Sequence, residues 1–247
     1  RQPVISTKVG RLLRPGKNLE YDKFPDSDPN LEIYFDHSAA GIRKSLEESL
    51  KRLGRDSLEI AYIHDADSWV REAIDVVYPE LHKMREEGLI KAIGIGMNWC
   101  STSIAIMKET ELNIALIAGR FTLLDQSAQD ELYPLALKKK VSIIAAGVFN
   151  SGVLANPVPG AYYDYEPASN EIIEKARAIG KYLEKFDISL PAAALQFPLR
   201  HPAVTCVVTG SRSVKELTSN ISDFDMDIPD AAWNALEESG LINRIEV

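Results

Sequence analysis

Cysteine is scarce in this chain: two in 247 residues, Cys100 and Cys206. They are far apart and fit no metal-ligand spacing, and two thiols make no disulfide framework. Cys206 sits in the apolar run VTCVVTG, which reads as a reduced core thiol. A cytoplasmic setting is the expectation. No cluster of His, Cys and carboxylate has metal-site spacing, so no metal is expected. No apolar run approaches about 18 residues, which excludes a transmembrane helix. Basic charge is also in deficit, with 28 Lys and Arg against 36 Asp and Glu, a net charge of -8. Phosphate backbones and anionic membrane surfaces need a basic face, so neither nucleic acid nor membrane is an expected partner. An initiator Met is missing, and no secretory pattern follows Arg1. Two catalytic signatures are absent as well: no GxSxG nucleophile elbow, and no GxGxxG after a strand.

What is present is an ordinary globular composition, 45% hydrophobic and 26% charged. A disordered chain would be poorer in apolar residues. Short apolar runs recur at Pro3–Lys8, Glu59–His64, Lys91–Asn98, Asn113–Arg120, Val141–Gly147 and Val204–Gly210. Most are nearly continuous in apolar residues, as in strands of a parallel sheet buried on both faces. Helical patterns fill the gaps. Ser38 is placed to cap a helix with the stripe Ile42, Leu46, Leu50 and Leu53, ended by Gly54. A second helix is expected from Trp69 to Glu87, a third from Ser101 and a fourth from Ser127. Ser169 heads a fifth, with Ile172, Ile173, Ala176, Ile179, Leu183 and Phe186 inward. Leu190–Leu199, the segment after Ser213, and the segment after Pro229 with Trp233 and Leu236 complete the series. The alternation predicts an α/β fold in a single domain, 1–247, with right-handed crossovers. Two connections, Gly10–His37 and Val148–Ala168, are long enough to be functional lids or disordered.

The residues ending the strands are the informative ones. Lys8, His64, Asn98 and Arg120 end the first four, and Gly147 and Gly210 the last two. The carboxyl ends of parallel strands form the active face in such folds. A single polar residue there merely begins a loop; four in succession point to a site.

The stretches STKVG (Ser6–Gly10), SLEESLKRLG (Ser45–Gly54), YIHDAD (Tyr62–Asp67) and KAIGIGMN (Lys91–Asn98) resemble those of the aldo-keto reductases. AGRFTLL (Ala118–Leu124), FNSGVL (Phe149–Leu154) and VTGSRSVKELTSN (Val208–Asn220) extend the likeness. The last three are most similar to the branch of NAD-linked aldose 1-dehydrogenases. The resemblance implies a (β/α)8 TIM barrel that binds its dinucleotide without a Rossmann turn. It implies a catalytic set of Asp, Tyr, Lys and His, in which Lys8 and His64 match the last two. A neighbouring ammonium lowers a tyrosine pKa from about 10 by favouring phenolate, so that it can take the substrate's proton. A histidine orients the same oxygen.

The family's Tyr and Asp come from strands before the TK strand, so they are expected upstream of Arg1. Tyr21 and Tyr34 do not fit the motif, and Tyr62 reads as core. Six strands are visible where the barrel needs eight, so the first two are expected to be missing from the N-terminal end.

The likeness further implies that Asn98 holds the nicotinamide carboxamide. Arg120 falls near the family's usual glutamine and could reach carboxamide or substrate. Phe149, Asn150, Ser151 and Gly152 would cover the pyrophosphate. Gly210, Ser211, Arg212 and Ser213 would lead into a helix N-terminus at the adenosine end, with Asn220 beyond. Glu216 stands where NADP-preferring members carry basic residues; a carboxylate accepts a ribose 2′-OH but repels a 2′-phosphate. NAD is therefore expected and NADP is the alternative, with Arg212 available to a phosphate. Asp65 and Trp69 could bind a sugar, with Asp67 equally readable as a helix cap. Tyr162, Tyr163 and Tyr165 could close over the ligand. The implied activity is oxidation of an aldose at its anomeric carbon to a lactone. The alternatives are an NADPH-dependent carbonyl reductase, a pyridoxal-type dehydrogenase, or a cofactor-binding regulatory subunit with little turnover.

Overall fold

The computed structural model describes residues 3–19 and 27–246; Tyr21 lies outside them. The chain divides into two compact units. One takes in the described residues up to Met97 together with Ala105–Ala115, and the other takes in Asn98–Ile104 and the residues from Leu116 onward.

The first unit opens on strand β1 (Ser6–Val9). A hairpin of β2 (Arg11–Pro15) and β3 (Leu31–Phe35) follows, paired antiparallel. Helix α1 (Ala39–Leu53) starts as expected: the Ser38 hydroxyl accepts from the Gly41 N–H, and Gly54 ends the helix in the left-handed conformation. Ile42 and Leu46 are fully buried, whereas Leu53 is exposed and outside the expected stripe. Each such buried side chain contributes about 1.5–3 kcal/mol. Strand β4 (Leu58–His64) comes next.

The expected second helix forms over Val70–Glu86, with a wide turn inside it. It consists of α2 (Val70–Glu72), a wide π turn over Ala73–Val77, and α3 (Tyr78–Glu86). The Tyr78 N–H bonds the carbonyl of Ala73, five residues back. Pro79 has no N–H for the Asp75 carbonyl, and its ring would crowd that group, so the helix widens there. Strand β5 (Ile90–Met97) closes this stretch. β1 pairs in parallel with β4, and β4 with β5. Tyr62 packs over Gly94, where a Cβ would come within 2.6 Å of its ring. That close approach explains the glycine in β5 and makes Tyr62 core, as its sequence position suggests.

Helix α4 (Cys100–Glu109) and strand β6 (Ile114–Ala118) span the boundary between the units. The second unit continues with α5 (Leu132–Lys139), which begins after a 3-10 turn at Ser127–Gln129 rather than at Ser127 itself. Strand β7 (Ser142–Ala146) and a small hairpin of β8 (Tyr162–Tyr163) and β9 (Glu166–Pro167) follow. Then come α6 (Asn170–Leu183), α7 (Leu190–Gln196), β10 (Val204–Val208), α8 (Val214–Phe224) and α9 (Asp230–Glu238). Ser169, Ser189 and Ser213 cap α6, α7 and α8 through their hydroxyls. The strand order is β1-β4-β5-β6 through the first unit and β6-β7-β10 through the second. β10 runs parallel to β7.

β10 departs from expectation. Thr205, Cys206 and Val208 are exposed, so Cys206 is not a core thiol. β10 ends the strand order and has one paired neighbour among the described residues. The core of this unit holds an aromatic cluster among its aliphatic residues. Phe121 packs on Tyr133 at 4.9 Å and on Phe197 at 5.1 Å. His201 lies 4.7 Å from the Tyr133 ring. Its Nδ1 accepts from the Ala203 N–H, so Nε2 carries the proton and donates to the Glu246 carbonyl at 3.1 Å.

Candidate functional site

In the first unit, β1 and β4 carry Lys8 and His64 to their carboxyl ends. Lys8 Nζ stands 3.1 Å from His64 Nε2. Asp65 Oδ2 stands 3.0 Å from the same nitrogen. One nitrogen cannot serve both. When the ring proton is on Nδ1, Nε2 accepts from the Lys8 ammonium. When Nε2 carries a proton, it donates to Asp65. Asp65 is itself held in the left-handed conformation, at φ 48°, by its N–H to the Gly96 carbonyl. The hydrogen bond from His64, with the charges of Lys8 and Arg11, holds its carboxyl below the usual carboxylate range. A cavity of about 400 Å³ opens here, lined by Thr7, Lys8, Arg11, Ser45, Arg52 and His64 among others.

Trp69 does not stand beside Asp65 as an open platform. It is 8% exposed, and its ring stacks on His37 at 3.6 Å. Its indole N–H donates to the Asp65 carbonyl at 3.0 Å. The structure makes it a support for the backbone turn after His64. Burial holds the His37 pKa down, and His37 Nε2 is buried without a partner.

In the second unit, Asn98 and Arg120 are joined. Arg120 Nε donates to the Asn98 carbonyl at 2.9 Å. Its other nitrogens bond Asp125 at 2.9 Å and Asp164. Its guanidinium carbon lies 4.5 Å from the Trp99 ring centre. With every nitrogen engaged and 8% exposure, Arg120 is not free to reach a carboxamide or a substrate. Burial opposes its charge, but the two carboxylates outweigh this and raise its pKa.

Beside Asn98 lies a smaller cavity of about 130 Å³, lined by Gly119, Gly147, Asn150, Ser151, Asp164 and Tyr165 as well. Gly147, at φ 61°, could not gain a Cβ without meeting the Gly119 nitrogen at 3.1 Å. Asn150 and Ser151 take positive φ without being glycine, at 45° and 58°. Each such residue costs on the order of 1 kcal/mol, a strain that collects at functional sites. Asn150 is 2% exposed, its side-chain N–H₂ bonds the Gly119 carbonyl, and its Oδ1 is buried with no partner. A buried acceptor left open beside a glycine-walled cavity suits a ligand that brings its own donors. Phe149 and Gly152 flank these residues in a single turn, the Gly152 N–H bonding the Phe149 carbonyl.

The long connection Val148–Ala168 is thus ordered, and the β8–β9 hairpin brings Tyr163 against Arg120. Tyr162 and Tyr165 remain exposed. The other long connection holds the β2–β3 hairpin, which sequence reasoning missed. Its strands are separated by fifteen residues, and RLLRP does not alternate.

At the start of α8, Arg212 and Glu216 pair: the Arg212 N–H donates to Glu216 at 2.7 Å and its guanidinium to the other carboxylate oxygen at 3.1 Å. Both bonds hold the Glu216 carboxyl low. Asn220 donates to the Ser211 hydroxyl, and Gly210 stands in open space. Among the described residues no helix is long and apolar enough to cross a membrane, and no metal-binding cluster occurs.

Comparison with known proteins agrees with this geometry. The Aldo/keto reductase family model matches residues 1–240. Pyridoxal 4-dehydrogenase of Microbacterium luteolum is 36% identical over 97% of this chain and 76% of the relative. D-threo-aldose 1-dehydrogenase of a Pseudomonas species is 37% identical over 97% of this chain and 75% of the relative. The holo form of the aldo-keto reductase AKR11C1 from Bacillus halodurans superposes with a TM-score of 0.73 at 21% identity, covering 99% of this chain and 74% of that one. The glycerol dehydrogenase AKR11B4 of Gluconobacter oxydans gives 0.69 at 20% identity, over 98% and 74%. These likenesses bear out the α/β fold of the (β/α)8 class. This chain belongs to the aldo/keto reductase family.

Proposed function

We propose that this protein is a nicotinamide-dependent oxidoreductase that oxidises an aldose at its anomeric carbon to a lactone, with NAD preferred over NADP. The observation that carries the reading is the 3.1 Å contact of Lys8 with His64 at the ends of two paired parallel strands. Nicotinamide, when bound, supplies the hydride acceptor. Lys8 provides a fixed positive charge that favours an alkoxide or phenolate near it. His64, with the proton on Nε2, would turn that N–H from Asp65 to the substrate oxygen and so orient it. A base beside Lys8 that takes the substrate's proton would complete this set.

Asn98, Asn150 and Ser151 would hold the dinucleotide, and the open Asn150 acceptor and the Cβ-free wall at Gly147 fit such a group. The Gly210–Ser213 segment and α8 would take the adenosine end, where the Glu216 carboxylate disfavours a 2′-phosphate. The partner is a small sugar or carbonyl compound, and the proposed setting is cytoplasmic.

The second reading is a pyridoxal-type dehydrogenase, favoured by the 36% identity to such an enzyme. Both are tested by following dinucleotide reduction by the full-length protein, with NAD and NADP, across a panel of aldoses and pyridoxal. Turnover of an aldose with NAD is the expected result. Turnover of pyridoxal alone selects the second reading, and reduction from no substrate overturns both.

A further inference from the structure

The two groups that compete for His64 Nε2 are not equally free to give way. Lys8 is exposed, and its charge rides on a long flexible stem, so it can turn aside when Nε2 carries a proton. Asp65 is short, and its carboxylate goes where its backbone sends it. A bare Nε2 lone pair would face, at 3.0 Å, a carboxylate that cannot withdraw. The stiffer partner therefore settles the ring proton, and whatever fixes the Asp65 backbone fixes the tautomer.

That backbone is not held by local preference. Asp65 stands at φ 48°, a left-handed conformation that aspartate tolerates rather than chooses. Three contacts hold it there. The Asp65 N–H donates to the Gly96 carbonyl at 3.1 Å, and the Ala66 N–H donates to the Met97 sulfur at 3.3 Å. Both acceptors lie on β5, the strand paired with β4. The third contact is the Trp69 indole N–H on the Asp65 carbonyl, at 3.0 Å. The indole is fixed in turn by His37, whose ring lies 3.6 Å away and within 17° of parallel. His37 packs on its far side against Gly10, where a Cβ would come within 3.3 Å of the imidazole. Its Nε2 is buried without a partner, so that nitrogen gains nothing from this place; the stacking face does.

We propose that Trp69 and His37 are positioning residues for His64. Through the Asp65 backbone they place the carboxylate that draws the His64 proton onto Nε2, the tautomer that offers an N–H to the substrate oxygen. This deepens the reading above, in which His64 orients that oxygen, and rests on it.

The test uses the full-length protein with nitrogen-15-labelled histidine, free of ligand, at about pH 9, above the titration range of an ordinary imidazole. The nitrogen shifts of His64, assigned by the signal lost in His64→Asn, show which ring nitrogen carries the proton. Wild type is expected to hold it on Nε2. Trp69→Phe keeps a ring for His37 to stack on and loses the indole N–H. The ratio of Nε2–H to Nδ1–H falls about tenfold in this variant, the worth of one hydrogen bond, and at least as far in Asp65→Ala. His37→Ala removes the stack and lowers the ratio; His37→Phe restores an aromatic face and recovers it. In each variant kcat falls in step with the Nε2–H fraction, while KM for the dinucleotide holds. Wild type with the proton on Nδ1 overturns the proposal before any variant is made, so a Trp69 variant that fails to fold does not protect it. An unchanged ratio in folded Trp69→Phe overturns the role of Trp69, and an unchanged ratio in His37→Ala that of His37. A changed ratio with unchanged kcat overturns the link to the substrate oxygen. A wild type that oxidises neither an aldose nor pyridoxal overturns the functional reading instead, and the nitrogen shifts still decide whether the turn sets the tautomer.

Discussion

His64 Nε2 is shared by two groups of opposite charge, Lys8 Nζ at 3.1 Å and Asp65 Oδ2 at 3.0 Å. The location of one proton decides which of them it serves. Lys8→Met removes the charge and keeps most of the length of the side chain. Turnover is expected to fall by a factor of about 10²–10⁴, the range of general acid–base contributions. Dinucleotide affinity, measured by fluorescence titration, should shift far less. Wild-type turnover in this variant would remove Lys8 from the chemistry.

Glu216 faces Arg212 at the start of α8. Glu216→Gln deletes the negative charge and frees Arg212 for a phosphate. The ratio of kcat/KM for NADP to that for NAD is expected to rise by about tenfold or more. An unchanged ratio would show that neither residue reads the 2′ position.

The His201 pKa is lowered from 6.5, mainly by burial, with the Glu246 carbonyl opposing the shift. The folded state thus takes up a proton less readily than the unfolded one. The contribution to stability is intact above pH 6.5 and is lost as pH falls below it, because the unfolded chain binds the proton first. His37 is shifted in the same direction by its burial. The melting temperature should therefore drop between pH 7.5 and pH 5.5. The drop should be smaller in His201→Asn, whose side chain does not titrate. An identical drop in wild type and variant would assign the pH dependence to other groups.

Leu46 is fully buried on α1. Leu46→Ala leaves a cavity there and is expected to cost about 2–5 kcal/mol. That lowers the melting temperature by roughly 5–15 °C for a chain of this size. Leu53→Ala, on the exposed end of the same helix, serves as the control and should move it little. Equal effects would contradict the orientation of α1.

The strand and helix alternation was legible because it depends on local chemistry. Continuous apolar runs mark β4, β5 and β7, and Ser38, Ser169 and Ser213 announce their helices by the hydrogen bonds a short polar side chain makes to the first turn. Lys8 and His64 could be placed at strand ends by the same reading, and the likeness of YIHDAD and STKVG to a family supplied the roles proposed for them. The π turn before Pro79 was in principle also legible, from the donor that proline lacks.

What the sequence could not show was who meets whom. Trp69 is an aromatic next to a carboxylate in either case; only the packing of His37 across its face makes it a support. Arg120 reads as able to reach a carboxamide or a substrate until Asp125 and Asp164, five and forty-four residues away, are brought to it. Cys206 reads as core because β10 is apolar, and its exposure follows from which strands stand beside it. Periodicity and capping are set by neighbours within a few residues, and the sequence alone determined those. Partnership across tens of residues depends on the pairing of strands and the course of the loops, and only the tertiary structure decided that.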